Sequence, residues 1–125
     1  MSDGYSSNDL GLRPARELLS MLSSREVSSV ELLEHFVERN SRLHDQLNAI
    51  VTLDLDRAFE TAKSVDDRRA GNLGTGLLEG LPMTIKDAIA VEGVRSTGGA
   101  VELRDHVPSR DCLLYTSDAA DEEDS

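Results

Sequence analysis

Tryptophan is absent from this 125-residue chain, and only two phenylalanines and two tyrosines are present. A packed core therefore has to be built from aliphatic side chains. The single cysteine excludes an internal disulfide framework. No apolar run approaches the ~20 residues that a membrane span needs. The start, Met1-Ser2-Asp3-Gly4-Tyr5-Ser6-Ser7, has neither a basic n-region nor an apolar h-region, which argues against a secretory signal. These absences point to a cytoplasmic protein with no membrane partner. The length fits one small domain or part of a larger one.

Basic residues are the next shortage. Thirteen lysines and arginines face 24 aspartates and glutamates, a net charge of −11, which argues against direct nucleic-acid binding. The imbalance is uneven, since residues 112–125 hold five of those acids and none of the bases. Lysine is scarcer still: two against eleven arginines, at Lys63 and Lys86. On a solvated surface the two cations are close to interchangeable, but only lysine offers a compact amine that can give up its proton. Lys86 closes a short apolar run, Leu81-Pro82-Met83-Thr84-Ile85-Lys86-Asp87. That placement admits two uses, an amine that snorkels to solvent at a strand end or an amine with a chemical task.

What is present begins with helices. Residues 1–12 are rich in Ser, Gly and Asp and read as a disordered end. Arg13-Pro14-Ala15-Arg16-Glu17 opens a helix with proline in its first turn; Leu18, Leu19 and Leu22 form its apolar face, and Ser23-Ser24-Arg25-Glu26 breaks the pattern. Ser28-Ser29-Val30-Glu31 is a capping-box pattern. The helix it opens carries Val30, Leu33, Phe36, Val37 and Leu43 as an amphipathic stripe and is expected to end near Leu43. His35 and His44 are nine residues apart, and nine steps of ~100° put them on opposite faces. They cannot share a metal, and with His106 alone in a loop no metal site is expected.

Leu47-Asn48-Ala49-Ile50-Val51-Thr52-Leu53 reads as a short extended segment. Asp54 is a plausible N-cap for a third helix, with Leu55, Ala58, Phe59, Ala62 and Val65 inward and Gly71 as the C′ glycine. Gly71-Asn72-Leu73-Gly74-Thr75-Gly76 matches neither the dinucleotide nor the Walker glycine pattern, so it is a loop and no cofactor is expected. The strand at 81–87 follows, then a second extended run at Ala88-Ile89-Ala90-Val91, a turn at Glu92-Gly93, a tight loop at Ser96-Thr97-Gly98-Gly99-Ala100 and a short helix from Val101 to Leu103. Helices first and strands after suggest an α/β protein whose sheet is only beginning.

Gly76-Leu77-Leu78-Glu79-Gly80-Leu81-Pro82-Met83-Thr84-Ile85-Lys86-Asp87, followed by Gly93 and Thr97-Gly98-Gly99, resembles the amidase signature family. That family shows a Gly-Pro-Leu-x-Gly-[Leu/Ile/Val]-Pro block, a few apolar residues and Lys-Asp, then a glycine and a Thr-x-Gly-Ser turn. The upstream helix starts and Leu47-Asn48-Ala49-Ile50-Val51 fit as well, so the resemblance covers residues 13–111. Two positions depart from it: Leu77 stands where the family has proline, and Ala100 where it has serine. The implied fold is α/β, N-terminal helices followed by the first strands of an incomplete mixed sheet. The implied chemistry is a serine hydrolase without histidine, using a lysine, a serine held by a cis peptide bond and a nucleophilic serine. Lys86 matches the lysine. In that role the amine has to accept a proton, and burial favours the neutral form it needs. Backbone N–H groups of a glycine-rich loop hold the oxyanion, and Asp87 is expected to cap or pair beside the lysine.

Both family serines belong to Gly-Ser-Ser-Gly-Gly and Gly-Gly-Ser segments downstream of the lysine, and this sequence contains neither. Ser96, Ser109 and Ser117 have no motif around them. Residues 112–122, Cys112-Leu113-Leu114-Tyr115-Thr116-Ser117-Asp118-Ala119-Ala120-Asp121-Glu122, resemble a translated transposase sequencing adapter; the frame TGT CTC TTA TAC ACA TCT GAC GCT GCC GAC encodes the peptide through Asp121. Residues 13–111 are therefore expected to be the N-terminal part of an amidase domain, and 112–125 a non-native tail. The polypeptide itself is expected to be inactive and poorly folded, with unpaired strand edges. The leading function for the gene is hydrolysis of a small carboxamide, with a homodimer as one assembly. The alternative is the amidase subunit of a tRNA-dependent glutamine amidotransferase, with partner subunits. A reading from another class, a non-enzymatic helical interaction module, keeps an apolar helix face exposed and has no need of Lys86.

Overall fold

A computed structural model of the chain describes residues 9–112. The expected adapter-derived segment, apart from Cys112, lies outside the described residues. Three helices form the framework: α1 (Ala15–Ser23), α2 (Ser29–Leu47) and α3 (Leu55–Ala70), with 3-10 turns at Leu10–Leu12 and Val101–Leu103. No described helix is long and apolar enough to cross a membrane.

The start of α2 is the best-tied point. Ser28 Oγ accepts from the Glu31 amide at 3.0 Å and the Glu31 carboxylate accepts from the Ser28 amide at 3.3 Å, the reciprocal box its sequence predicts. Two further first-turn amides, of Ser29 and Val30, donate to Asp66 of α3 at 2.7 and 3.1 Å. Three amides that a helix leaves without intrahelical partners are thus satisfied, two of them by a neighbouring helix.

Helix ends differ from expectation in three places. α2 continues one turn past Leu43, because His44-Asp45-Gln46 holds nothing that breaks a helix, and it stops only where Asn48 turns left-handed at φ 44°. At the end of α3 the left-handed residue is Asn72 (φ 55°), not Gly71 (φ −84°). The amides of Asn72 and Leu73 close back on Arg69 and Arg68 carbonyls, and asparagine tolerates this geometry better than most residues. α1 ends the same way with Arg25 at φ 62°, and the guanidinium of Arg25 reaches across to the Arg69 carbonyl and, at 2.7 Å, to Asn72 Oδ1. Asp54 does occupy the N-cap of α3, but its carboxylate pairs with Arg57 at 2.5 Å instead of capping.

Aliphatic side chains supply the core, as the shortage of aromatics requires. Leu18, Leu22, Val27 and Leu32 form the central cluster, with Leu10, Leu19, Met21, Phe36 and Leu81 packed around it. Ala62 and Val65 are the buried apolar residues of α3. Leu32, fully buried, lies outside the stripe read from the sequence, whose members are half-buried. The helix is rotated so that Leu32, Ser29 and Phe36 face inward together.

Residues 9–12 are not frayed. Asp9 accepts from the Gly11 amide at 2.8 Å, lies 3.0 Å from His35 Nε2 and 3.1 Å from an Arg39 nitrogen, and so fastens the first turn to α2.

The strands are the larger correction. Among the described residues there is no β-strand and no sheet; residues 81–86 carry no regular structure, and the nearest approach to pairing is an isolated antiparallel bridge between Val91 and Val94. A strand is stabilised by ladder bonds to a neighbour, and the described chain offers this run none. Residues 106–112 do pass antiparallel to 90–96: the Cys112 amide donates to Ala90 O (2.8 Å), the Gly93 amide to Pro108 O (3.1 Å) and the Ser96 amide to His106 O (3.0 Å).

Candidate active site

The apolar run before Lys86 is held at its upstream end by the last turn of α3. Arg68 donates to the Glu79 carboxylate at 2.7 Å, and Arg69 donates to the Glu79 carbonyl at 2.7 Å and to Ser29 Oγ at 3.0 Å. Glu79 also accepts from the Gly76 amide at 2.8 Å. Gly80 lies against this knot at φ +89°, with a Cβ position 2.8 Å from an Arg69 nitrogen and closer still to Ser29 Oγ. Both its backbone and its surroundings therefore require glycine. Leu81 follows and enters the core, so the Gly80-Leu81-Pro82 block is a fixed starting point for the lysine segment.

Lys86 itself is exposed. The burial that the resemblance implies is not supplied by residues 9–112. The Lys86 carbonyl accepts from the Ile89 amide at 2.9 Å, which places the lysine at the first position of a turn.

Downstream of it, Asp87 is the best-engaged carboxylate of the region. The Thr97 amide donates to Oδ1 at 3.0 Å and the Thr97 hydroxyl donates to Oδ2. The Gly98 amide donates to the Asp87 carbonyl at 3.2 Å, and the Gly99 amide to Thr97 Oγ1 at 3.1 Å. The Thr97 hydroxyl and then its amide hold the Asp87 carboxyl below its usual range, against a smaller upward push from burial. Asp87 thus pairs beside the lysine, the structural part expected of it. The Gly98 and Gly99 amides are both committed inside this knot. Ser96 is buried and its hydroxyl faces the Val94 and Ile89 carbonyls at 3.1 and 3.4 Å. That is a donor that ties loops together, not a nucleophile.

An open hollow of about 710 Å³ lies beside this knot, lined by Ala88, Ala90, His106, Pro108 and Arg110 among others, and Lys86 is not on its wall. Among the described residues no group of three His, Cys, Asp or Glu side chains is placed to hold a metal. His35 and His44 are separated as their spacing requires, His35 half-buried against Asp9 and His44 exposed.

Asp66 and Arg69 are residues that sequence reasoning missed; Gly80 and Thr97 were read as motif positions, without the structural parts they play here. Thr97 before a glycine pair carries the signal of a side-chain-closed turn. Asp66 and Arg69 act across helices, and no local pattern announces them.

Three carboxylates of the described chain are held low. The Gly11 amide, followed by His35 and Arg39, lowers Asp9 against burial. Burial pushes Glu79 up but is outweighed by Arg68, the Gly76 amide and the charge of Arg69. Asp87 is lowered as described. Groups depressed in the folded state add stability that is present above their ordinary values, 3.8 for aspartate and 4.5 for glutamate, and lose it as pH falls through the folded values. The urea midpoint of the chain is therefore expected to be level at neutral pH and to drop once pH falls below about 4. A midpoint that rises on acidification would contradict these assignments.

The amidase family's sequence profile matches residues 31–117, more than two thirds of the chain. This chain belongs to the amidase family. It is 38% identical over 104 residues to a glutamyl-tRNA(Gln) amidotransferase subunit of Heliobacterium modesticaldum, covering 83% of this chain and 21% of that protein. The subunit of the same name from Thioalkalivibrio sulfidiphilus is 42% identical over 98 residues (78% and 20%), and that from Aromatoleum aromaticum 41% over 107 residues (82% and 22%). The chain spans about a fifth of the length of these relatives.

Proposed function

We propose that this chain contributes the lysine of a Ser-cisSer-Lys amidase that hydrolyses the C–N bond of a carboxamide in the cytoplasm. Lys86 is the proton acceptor. The nucleophilic serine passes its proton to the bridging serine, which passes one on to the Lys86 amine, while the nucleophile attacks the carbonyl. The observation that carries this reading is the double anchoring of the Lys86 segment, at the Glu79 carbonyl by Arg69 and at Asp87 by Thr97, in a member of the amidase family. A lysine that only snorkels to solvent has no use for such fixing.

A second reading has specific support: the relatives above are named as subunits of a glutamyl-tRNA(Gln) amidotransferase. In it the substrate amide is glutamine, and partner subunits take up the ammonia. Completing the reading frame separates the two. If the completed protein alone turns over small aryl or alkyl amides, the hydrolase reading holds; if it releases ammonia from glutamine only with partner subunits, the amidotransferase reading does. The 125-residue polypeptide, which lacks both serine motifs, is expected to hydrolyse neither, and measurable turnover by it would sink the serine assignment. The tail from Cys112 remains, in this reading, an adapter-derived addition, although the family match runs on to residue 117. The bases after the Asp111 codon decide it.

A further inference from the structure

The nearest tether downstream of Lys86 is one residue away, and it is made by residues that have no part in the proton transfer just proposed. From the geometry we infer that Asp87 and Thr97 are positioning residues for the Lys86 amine: their clamp fixes the backbone from which the lysine side chain springs. The inference rests on the proposed proton-accepting role of Lys86 and deepens it.

Asp87 is gripped at three points by one short segment: Thr97 takes both carboxylate oxygens and the Gly98 amide takes the main-chain carbonyl. Such a two-oxygen grip fixes the orientation of residue 87 as well as its distance, because the carboxylate plane is held along with the peptide plane. Lys86 shares a peptide bond with it, and the Lys86 carbonyl is itself closed in a turn by the Ile89 amide at 2.9 Å. The far end of that turn is held by the same segment, through the Ser96 hydroxyl facing the Ile89 carbonyl at 3.4 Å. Residues 96–98 thus form a single brace behind the 86–89 turn. The Gly99 amide on Thr97 Oγ1 orients the hydroxyl toward the carboxylate, and glycines at φ +59° and +81° let the chain double back to do so. The other charged group that acts on Asp87 is Arg95, whose guanidinium also favours the ionised carboxylate.

A four-carbon side chain magnifies any tilt of its Cα, and proton transfer demands an amine within hydrogen-bond reach of its donor. Releasing residue 87 is therefore expected to lower kcat and to leave KM in place, because the polar groups of the clamp are spent on one another. The test uses the completed enzyme. Thr97→Val keeps the shape and the amide but removes the hydroxyl; Asp87→Asn keeps the shape but removes one acceptor and the charge. Each is expected to lower kcat about 100-fold, the size of effect that a displacement of ~1 Å produces, with KM within twofold. Thr97→Ser restores the hydroxyl and is expected to return kcat to within about threefold of the parent. Equal kcat in Thr97→Val, Asp87→Asn and the parent overturns the clamp. So does a loss in Thr97→Val that Thr97→Ser fails to rescue, since that marks a purely steric role. Lys86→Ala keeps the two ideas separate. Full activity in that variant removes the proton-acceptor reading itself, whereas inactive Lys86→Ala beside fully active clamp variants removes only the positioning role.

Discussion

Replacing Lys86 by arginine in the completed enzyme is expected to cost about 10³-fold in kcat, as much as replacing it by alanine. The equality of the two losses is the informative part. Arginine keeps the positive charge and much of the stem, so any role in attracting an anion or in filling space survives the change. It cannot be deprotonated at accessible pH, and its planar fork does not reproduce a single amine. If Lys86 works as the acceptor at the end of a serine–serine relay, both variants lose the same step, and KM moves little because the ground state keeps its contacts. Activity that survives in Lys86→Arg but not in Lys86→Ala would assign the residue an electrostatic task instead. Comparing hydrolysis of one amide substrate by the three proteins decides between them.

Gly80→Ala is the second change with a large expected effect, this time on stability. Two costs coincide at this position. The backbone lies at φ +89°, where an L side chain is strained; such outliers cost about 1–3 kcal/mol. The new Cβ would also press on Ser29 Oγ and on an Arg69 nitrogen at 2.8 Å. Forcing a methyl into an occupied place adds about 1–3 kcal/mol. The arginine end is flexible and can yield, but it can yield only by releasing the Glu79 carbonyl and the Ser29 hydroxyl that it ties together. A combined loss of about 2–6 kcal/mol is a large part of what a small domain has in hand. Among the described residues the buried aliphatic side chains are those of Leu18, Leu22, Val27, Leu32, Ala62 and Val65. The urea midpoint of Gly80→Ala is expected well below that of the parent, while Gly74→Ala, which meets nothing within 4 Å, serves as the control. Equal midpoints for the two would show that the Gly80 loop is not seated on the helices.

How much of this was legible in the sequence varies with the range of the interaction. The three helices, the Ser28–Glu31 box and the buried Ala62 and Val65 follow from signals that lie within a few residues of one another. The family, too, could be read from the Gly80-Leu81-Pro82 and Lys86-Asp87 spacing, and it is borne out by the profile match. Helix ends were legible only to within a turn, because residues that can adopt left-handed geometry, Asn48 and Asn72, compete with the neighbouring signals. The Leu81–Asp87 strand was misread: apolar composition is a necessary condition for a strand, and the partner is the other half. Asp66 and Arg69 were invisible because the α2 groups they hold lie more than thirty residues away in sequence.

The helix ends finished by foreign residues constrain the order in which the chain can assemble. Arg25, at the foot of α1, closes the Arg69 carbonyl at the end of α3, while Asp66 of α3 closes two amides at the start of α2. A terminus whose cap comes from another helix frays until that helix has docked. The folding nucleus therefore has to include both α2 and α3, brought together across the 48–54 connection, and no one helix is a stable intermediate alone. In hydrogen exchange the first turn of α2 and the last turn of α3 should open with one shared free energy, as a single cooperative unit. The turns around Lys86, tied to that unit by Arg68 and Arg69 at Glu79 and by Arg57 at the Glu92 carbonyl, are free to open on their own.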